Sequence, residues 1–186
     1  MNIDFVDINS VSAETKLVIR EWRNSEHVKI NMYTDHDISL EEHNNWLNNL
    51  IKDNKTKVFV VLCNQNPSGI VSLSNIDNHN KTASWAFYLG SEDSIGTGLG
   101  VVLEYKLIEY VFCDLKLEKL NCEILASNSV VISLHKKFGF VVEGLIRKNI
   151  IKGEARVDVV LMGLLKDEWD KHKCNIQKMV SRFNNK

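Results

Sequence analysis

Hydrophobic and polar positions along the chain predict strands and helices in a definite order. Alternating or continuous apolar runs, typical of strands, stand between segments whose apolar residues recur every three to four positions, as in amphipathic helices. Seven runs are predicted as strands, at residues 2–8, 57–63, 68–73, 82–89, 120–126, 141–151 and 155–164. Helices are predicted at residues 14–24, 39–50, 98–113 and 129–138, and from residue 167 towards the end.

This order of elements indicates one mixed α/β domain. The strands first follow one another directly, then alternate with helices, and finally form a hairpin, which is the pattern of a single central sheet. The 186 residues suit one domain. We place it at residues 1–170 and interpret residues 171–186 as a polar C-terminal tail, leaving two interpretations of residues 174–186 open: a frayed end, or the contact surface of a homodimer.

Composition and charge narrow the class of protein. With 44% hydrophobic residues, one proline and a net charge of −1, the chain is neither disordered nor collagen-like. The near-zero charge gives no overall attraction for nucleic acid or anionic membranes. The apolar run at residues 159–165 is too short to span a bilayer, and the first residues do not resemble a signal peptide. We expect a soluble, cytoplasmic protein that binds neither nucleic acid nor membrane.

The cysteines and histidines show no spacing typical of a metal site, and we expect none. The cysteines are scattered, and we interpret them as small, mostly buried apolar side chains. The stretch Asp35-His36-Asp37 is interpreted as a solvated loop.

Three alternating glycines, Gly96, Gly98 and Gly100, separate the fourth predicted strand from the following helix. A turn there points backbone N–H groups at the positive end of the helix dipole, an arrangement that suits a pyrophosphate. The segment lacks the G-K-[ST] of a P-loop, and its spacing differs from the G-x-G-x-x-G of dinucleotide folds.

The run from Ile95 through Gly100, followed by a long helix, resembles motif A (R/Q-x-x-G-x-G/A) of the GCN5-related N-acetyltransferase (GNAT) superfamily, in which backbone amides hold the acyl-CoA pyrophosphate. Residues 126–140 resemble motif B, with an Asn after the fifth strand and a helix ending in Y-x-k-x-G-F. Ile95 stands where the motif usually has Arg or Gln. Only the backbone of this residue needs to contact the phosphate, so the co-substrate interpretation still holds. The resemblance spans roughly residues 3–170.

The resemblance implies a mixed, mostly antiparallel sheet of about seven strands flanked by helices, with acetyl-CoA as co-substrate and no metal. An amine attacks the acetyl thioester directly, and a backbone N–H near Tyr88 and Leu89 stabilises the oxyanion. The residues implied to contact the co-substrate are Tyr88, Leu89, Ile95, Gly96, Thr97, Gly98, Leu99, Gly100, Asn128 and Ser133.

Proton transfer is assigned by the same resemblance. Removal of a proton from the amine falls to Ser72 or Glu123, and Glu123 has the alternative of being an outward, solvated carboxylate. His135 stands where the family usually has the Tyr that protonates the leaving thiolate. An imidazolium, with an unperturbed pKa of about 6.5, is a stronger acid than a phenol at about 10. The alternative is a packing or surface histidine.

The amino-terminal third resembles that of nucleotide-sugar N-acetyltransferases of pseudaminic acid biosynthesis. The resemblance lies in Trp22-Arg23-Asn24, Met32-Tyr33 and Ile38-Ser39-x-x-x-His43-x-x-Trp46. It implies transfer to the 4-amino group of a UDP-linked 4-amino-4,6-dideoxy sugar, used in flagellin glycosylation. The implied acceptor-binding residues are Arg23, Asn24, Met32, Tyr33, His43 and Trp46.

Each of these residues has a plainer interpretation, and two other functions stay open. Arg23 and His43 suit a phosphate, while Met32 and Tyr33 suit uracil or sugar, but Trp46 is at core-like helical spacing and Arg23 can be a surface cation. The first alternative function is acetylation of a protein amino terminus, as in ribosomal-protein alanine acetyltransferases. The second is a non-catalytic acyl-CoA-binding module.

Overall fold

A computed structural model describes residues 1–184, and a seven-stranded sheet forms its centre. The strands are β1 (Ile3–Asp7), β2 (Lys57–Cys63), β3 (Asn66–Asp77), β4 (Thr82–Leu89), β5 (Lys119–Leu125), β6 (Val141–Lys152) and β7 (Ala155–Leu165). The helices are α1 (Ala13–Asn24), α2 (Glu26–Lys29), α3 (Leu40–Lys52), α4 (Leu99–Glu109), α5 (Ser129–Lys137) and α6 (Lys166–Asn184). The expected mixed architecture, with a mostly antiparallel sheet of seven strands, is confirmed.

The sheet opens at its middle, between β4 and β5. The strand order is β1-β2-β3-β4-β5-β7-β6, and β4 with β5 is the one parallel pair among the described strands. Their pairing covers only Thr82 to Ser84 against Lys119 to Asn121. Beyond Ser84, β4 continues to pair with β3, and beyond Asn121, β5 continues to pair with β7. The two strands therefore diverge and leave a wedge-shaped opening in the sheet.

Helix α4 runs from this opening through the core. Leu99, Val102, Leu103 and Leu107, which the sequence places on one apolar face, are each at most 2% exposed. Burial of such side chains contributes about 1.5–3 kcal/mol each, which fixes the start of α4 against the sheet. The α-helix ends at Glu109 and continues as a wider π turn to Asp114, where the sequence pattern predicts a regular helix.

The structure corrects the interpretation of the C-terminal segment as a polar tail. Its residues 171–184 belong to α6, which continues to Asn184. Trp169, Ile176 and Val180 are at most 5% exposed, and the indole Nε1–H of Trp169 donates to Glu109 Oε1 over 2.8 Å. These residues recur every four to seven positions, which places them on one face of the helix. The polar majority of residues 171–184 covers the opposite faces, so the average polarity of the segment concealed its buried stripe. Residues 185–186 of the predicted tail lie outside the described residues.

The amino-terminal third differs from the predicted elements in two places. The turn between β2 and β3 is Asn64-Gln65, both in the left-handed region with φ of 49° and 70°, so β3 begins at Asn66 and includes Pro67. Helix α2 is a single turn directly after α1, too short to leave a periodic pattern in the sequence. No helix within residues 1–184 has the length and apolar character needed to cross a membrane.

Candidate active site

A cavity of about 1370 Å³ lies at the opening between β4 and β5. Its walls come from the diverging ends of the two strands, the starts of α4 and α5, and the segment that follows α1. Thirteen of the residues selected from the sequence line it: Arg23, Met32, Tyr33, Tyr88, Leu89, Ile95, Gly96, Gly98, Gly100, Glu123, Asn128, Ser133 and His135. The structure thus collects most of the expected site from segments that are up to about a hundred residues apart.

The glycine turn lies at one end of the cavity, open at Gly96 and covered at Gly98 by the Phe183 ring. Gly96 and Gly98 have φ of 80° and 92°, in the region that favours glycine. A Cβ added to Gly96 would meet no atom within 4 Å, so the surface there is open. Gly98 is the N-cap of α4 and makes no side-chain cap, so the start of the helix keeps backbone N–H groups without an intrahelical partner beside the cavity. These features fit a pyrophosphate held by backbone N–H groups.

Thr97 and Leu99 support the turn from behind and do not line the cavity. The Thr97 hydroxyl donates to the Ser94 carbonyl over 2.8 Å and accepts from the Leu99 amide over 3.3 Å. The Leu99 side chain is 2% exposed and belongs to the core. Both side chains are committed to the fold, and the Leu99 amide already donates to Thr97, so their expected contact with the co-substrate stays a prediction.

The start of α5 forms the opposite wall. The Asn128 side-chain oxygen accepts from the Val131 amide over 3.3 Å and caps the helix, while the residue also lines the cavity. Ser133 lies one turn further along the same wall. The asparagine predicted after the fifth strand thus fixes where α5 begins, and so where its inner face stands relative to α4.

Arg23 enters the cavity from the end of α1. Its Nη2 donates to the Thr34 hydroxyl, whereas Nη1 is buried without a hydrogen-bond partner among the described residues. Burial lowers the pKa of Arg23 from its usual value, and the group stays charged at neutral pH because that value is so high. A buried guanidinium N–H without a partner is costly, and a negatively charged ligand would satisfy it.

Tyr33 and Glu123 meet although 90 residues separate them in the sequence. The Tyr33 hydroxyl donates to Glu123 Oε2 over 2.5 Å. Burial raises the pKa of Tyr33, and the hydrogen bond to the carboxylate raises it further, so the phenol remains the donor. Glu123 is exposed within the sheet opening, so its carboxylate faces the cavity while it is anchored on one oxygen. The second oxygen is the one available to an incoming amine.

The loop that carries Tyr33, residues 31–37, is held by the tip of the β6–β7 hairpin. The Lys152 ammonium donates to the carbonyls of Lys29 and Met32 over 3.0 and 2.8 Å. The Gly153 amide donates to Asp35 Oδ2 over 3.0 Å. The hairpin tip therefore sets the position of the loop relative to β5 and Glu123.

We expect Lys152→Met to raise the KM for the acceptor roughly tenfold, because charge-assisted hydrogen bonds of this kind contribute about 1.5–3 kcal/mol each. The KM for the co-substrate should stay unchanged, since the glycine turn is remote from the hairpin. Steady-state kinetics with each substrate varied in turn measures both constants. Lys148→Met, on the exposed part of the same strand, is the matched control. An equal rise of both KM values would contradict a specific role for the hairpin.

Besides Thr97 and Leu99, four more of the expected site residues lie outside the cavity. The Asn24 Nδ2–H donates to the Ile38 carbonyl over 3.0 Å, and Asn24 Oδ1 accepts from the Ile38 amide over 2.8 Å. These two bonds hold the segment before α3. The Ser72 hydroxyl lies 3.4 Å from the Ala86 carbonyl on the neighbouring strand and does not reach the opening. Glu123 is thus the one of the two candidate bases that faces the cavity.

His43 and Trp46 are the other two, and they pack against each other on α3 with ring centroids 5.5 Å apart. His43 is 4% exposed, and burial lowers the pKa of its imidazole. A buried neutral histidine is a poor ligand for phosphate. His43 therefore belongs to the packed side of α3, whereas Trp46 is 37% exposed, and neither residue lines the cavity.

The Asp35-His36-Asp37 stretch is occupied by contacts within the protein. The Asp35 carboxylate accepts from Gly153, and Asp37 pairs with Lys29 over 3.0 Å. These partners lower the pKa of both aspartates and raise that of Lys29. Within residues 1–184, no cluster of His, Cys, Asp and Glu has the arrangement of a metal site.

His135 lines the cavity from α5 but is only 2% exposed. Its Nδ1 lies 2.8 Å from Glu104 Oε1, a fully buried carboxylate on α4. Neither a surface position nor simple apolar packing describes this histidine. Its role as an acid stays a prediction.

Sequence reasoning missed three residues of this site. His27 lines the cavity and its Nε2 lies 3.3 Å from the Leu89 carbonyl, but the single-turn helix that carries it leaves no sequence signal. Lys152 acts through backbone carbonyls, which no motif records. Glu104 had a signal, since it is a charged residue among the apolar positions of α4.

Comparison with known proteins gives one family and several relatives. Residues 14–161 match the family described as Acetyltransferase (GNAT) domain. The chain is 30% identical over 139 residues to acetyltransferase PseH of Campylobacter jejuni, a match covering 75% of this chain and 83% of that protein. It is 25% identical over 126 residues to the SPbeta prophage-derived uncharacterized N-acetyltransferase YokL of Bacillus subtilis, covering 67% of this chain and 70% of the other.

The fold also matches solved structures. Spermidine N-acetyltransferase from Vibrio cholerae in complex with CoA and spermine superposes with a TM-score of 0.80, covering 90% of this chain and 97% of that one. The two sequences are 21% identical, so this likeness concerns the fold.

Proposed function

Because the chain belongs to the GNAT family and is an N-acetyltransferase that uses acetyl-CoA, we propose that its acceptor is a nucleotide-linked amino sugar. Specifically, the acetyl group goes to the 4-amino group of a UDP-linked 4-amino-4,6-dideoxy sugar, as in pseudaminic acid biosynthesis and flagellin glycosylation. The relationship to acetyltransferase PseH supports the proposal at 30% identity. The argument for it from this chain rests on the charges in the cavity.

The cavity wall has the charges expected for an acceptor that is an anion with one amine. Among its described residues Glu123 is the single carboxylate, whereas Arg23, His27 and Lys137 are cationic or able to become so. A polyamine with several ammonium groups would leave most of these groups without a partner and repel Arg23. The buried Nη1 of Arg23 without a partner is the observation that carries the proposal.

The acetyl-CoA half needs only groups that are already in place. We expect the amides at the start of α4 to bind the pyrophosphate, with the Asn128 wall of α5 across the opening from them. The end of β4, around Tyr88 and Leu89, has no neighbouring strand on the β5 side, which leaves a backbone N–H donor for the thioester oxygen.

The chemical step then needs two proton transfers. The Glu123 carboxylate, anchored by Tyr33, takes the proton of the acceptor ammonium directly or through a water. The free amine attacks the thioester carbon, the C–S bond breaks, and the thiolate receives a proton at the α5 wall. His135 is the group on that wall able to supply it.

The test measures release of free thiol from acetyl-CoA with three acceptors in parallel: the UDP-linked 4-amino-4,6-dideoxy sugar, spermidine, and a mixture of short peptides with free amino termini. We expect turnover with the nucleotide sugar and a kcat/KM about ten- to a hundredfold above that for the other two, since a satisfied buried charge contributes about 1.5–3 kcal/mol. Preference for spermidine would overturn the acceptor assignment. Preference for peptides would favour an amino-terminal acetyltransferase, and acetyl-CoA binding without turnover a non-catalytic module.

Arg23→Lys provides the matched variant. It keeps a positive charge but removes the planar pair of donors, so the KM for the nucleotide sugar should rise while the KM for acetyl-CoA does not. Arg156→Lys, which alters an arginine bonded to the Lys148 carbonyl away from the cavity, should leave both constants unchanged.

A further inference from the structure

A buried carboxylate–imidazole pair joins α4 to α5 at the wall of the active site. Glu104 is 0% and His135 2% exposed, and Oε1 of the first lies 2.8 Å from Nδ1 of the second. Oε2 of Glu104 is buried without a hydrogen-bond partner among the described residues. Burial of a carboxylate is unfavourable unless a positive charge compensates it. A role in the reaction therefore explains this pair better than a contribution to stability does.

Aromatic rings surround the imidazole. The ring centroids of Trp85 and Phe140 lie 5.0 and 5.1 Å from that of His135, and that of Phe87 lies at 6.3 Å. These rings pack against the imidazole and restrict its orientation.

The other groups packed around the pair do not compete for its proton. From β4 come only aromatic rings, and Phe140 stands before β6. From β5 comes Cys122, and burial raises the pKa of its thiol so that it remains neutral. Burial raises the pKa of Glu104, while the neighbouring imidazole lowers it. His135 is thus the one hydrogen-bond partner of the Glu104 carboxylate among the described residues.

The pair also determines which nitrogen faces the substrate. With Nδ1 engaged by Glu104, Nε2 is the nitrogen available to the cavity that His135 lines. We propose that Glu104 is a positioning residue, which fixes the ring of His135 and balances its imidazolium charge so that Nε2–H protonates the departing CoA thiolate. The proposal rests on the proposed function, because it concerns the leaving group of that reaction.

The step balances in atoms and charge. The Nε2–H bond breaks, its electron pair stays on Nε2, and an S–H bond forms on the thiolate. The thiolate becomes a neutral thiol, and the pair changes from net zero to one negative charge, carried by Glu104 beside a neutral imidazole with Nδ1–H. Since a shorter imidazole replaces the usual phenol, a fixed ring orientation is what makes the shorter reach effective.

The test follows the His135 ring by nitrogen NMR in the free enzyme, with His135→Phe assigning the signals. The nitrogen shifts separate the imidazolium from the two neutral forms. We expect the imidazolium, with a proton on both ring nitrogens, at all pH values where kcat is high. A neutral ring with its proton on Nδ1 alone would leave Nε2 no proton to give and would overturn the proposal. A neutral ring carrying its proton on Nε2 alone there would mean that Glu104 holds a proton, and would overturn the proposal.

Glu104→Gln removes the charge while keeping an acceptor oxygen. We expect the pH at which the ring loses its charge to fall by about one unit or more, since an opposite charge at this distance has an effect of that size. The high-pH limb of kcat should move in the same direction, with kcat reduced about tenfold or more at neutral pH. An unchanged ring titration or an unchanged kcat profile would contradict the role of Glu104.

Two controls separate the possible failures. Glu109→Gln alters a carboxylate on the same helix that accepts from Trp169, and it should leave the ring titration and kcat profile unchanged. If Glu104→Gln does not fold, the NMR measurement on the unaltered protein still decides the proposal. That measurement needs no acceptor, so its failure leaves the proposed function standing, whereas normal ring behaviour without turnover would reject the function alone.

Discussion

Glu123→Gln is expected to lower kcat about 10²–10⁴-fold, the usual contribution of a positioned general base. Glutamine has the same shape and still accepts the Tyr33 hydroxyl through its carbonyl oxygen, so the sheet opening keeps its geometry. What it loses is the ability to take a proton from the acceptor ammonium. The KM for acetyl-CoA should remain unchanged, because Glu123 lies on the acceptor side of the opening.

The pH profile distinguishes this role from a merely structural one. As the pH approaches the pKa of the acceptor amine, the amine loses its proton to solvent, and the defect of Glu123→Gln should shrink. A defect of constant size across pH would contradict a base role. Glu143→Gln is the matched control. Glu143 is also a carboxylate on a strand and forms an ion pair with Lys119, but it lies outside the cavity. Tyr33→Phe should produce a smaller defect with the same dependence on pH.

The co-substrate half of the site could be read from the sequence because it is built from neighbouring residues. The turn of Gly96 and Gly98 needs positive φ, which glycine alone adopts easily, and the Asn128 cap fixes the next helix within a few residues. Such local requirements leave a motif. The divergence of β4 and β5 has no sequence motif of its own. The order of the elements does place a helix between these two strands, as a parallel pair requires.

The acceptor half was less predictable because distant residues create it. Tyr33 meets Glu123 across 90 residues, and Lys152 holds the Tyr33 loop through backbone carbonyls. His43 and Trp46 show the opposite error, since their helical spacing places them side by side on α3 but outside the cavity. Helical periodicity reveals which residues share a face, but whether that face meets a cavity or the core depends on tertiary packing.

Gly98→Ala is expected to weaken both acetyl-CoA binding and the fold. The residue has φ of 92°, and an added Cβ would lie 2.2 Å from Cδ1 of Phe183, the aromatic ring near the end of α6. Left-handed backbone costs about 1–2 kcal/mol and overpacking about 1–3 kcal/mol, a combined loss of about 2–5 kcal/mol. For a domain of this size each kcal/mol lowers Tm by about 2–4 °C. A thermal melt measures the loss of stability, and calorimetric titration with acetyl-CoA measures binding.

Gly100→Ala is the matched control on the same turn. Its Cβ would lie 3.7 Å from Phe87 and 3.9 Å from Leu134, ordinary contact distances. Alanine also stabilises a helix by about 1 kcal/mol relative to glycine, so this variant should keep binding and gain stability. In a Phe183→Ala background, Gly98→Ala should lose less stability than in the unaltered protein, because the steric part of its cost is gone. Binding should stay weak there, since the positive φ that orients the phosphate-binding amides is still disfavoured. Equal stability losses in both backgrounds would show that α6 does not press on the turn, and that backbone strain alone accounts for the need for glycine at position 98.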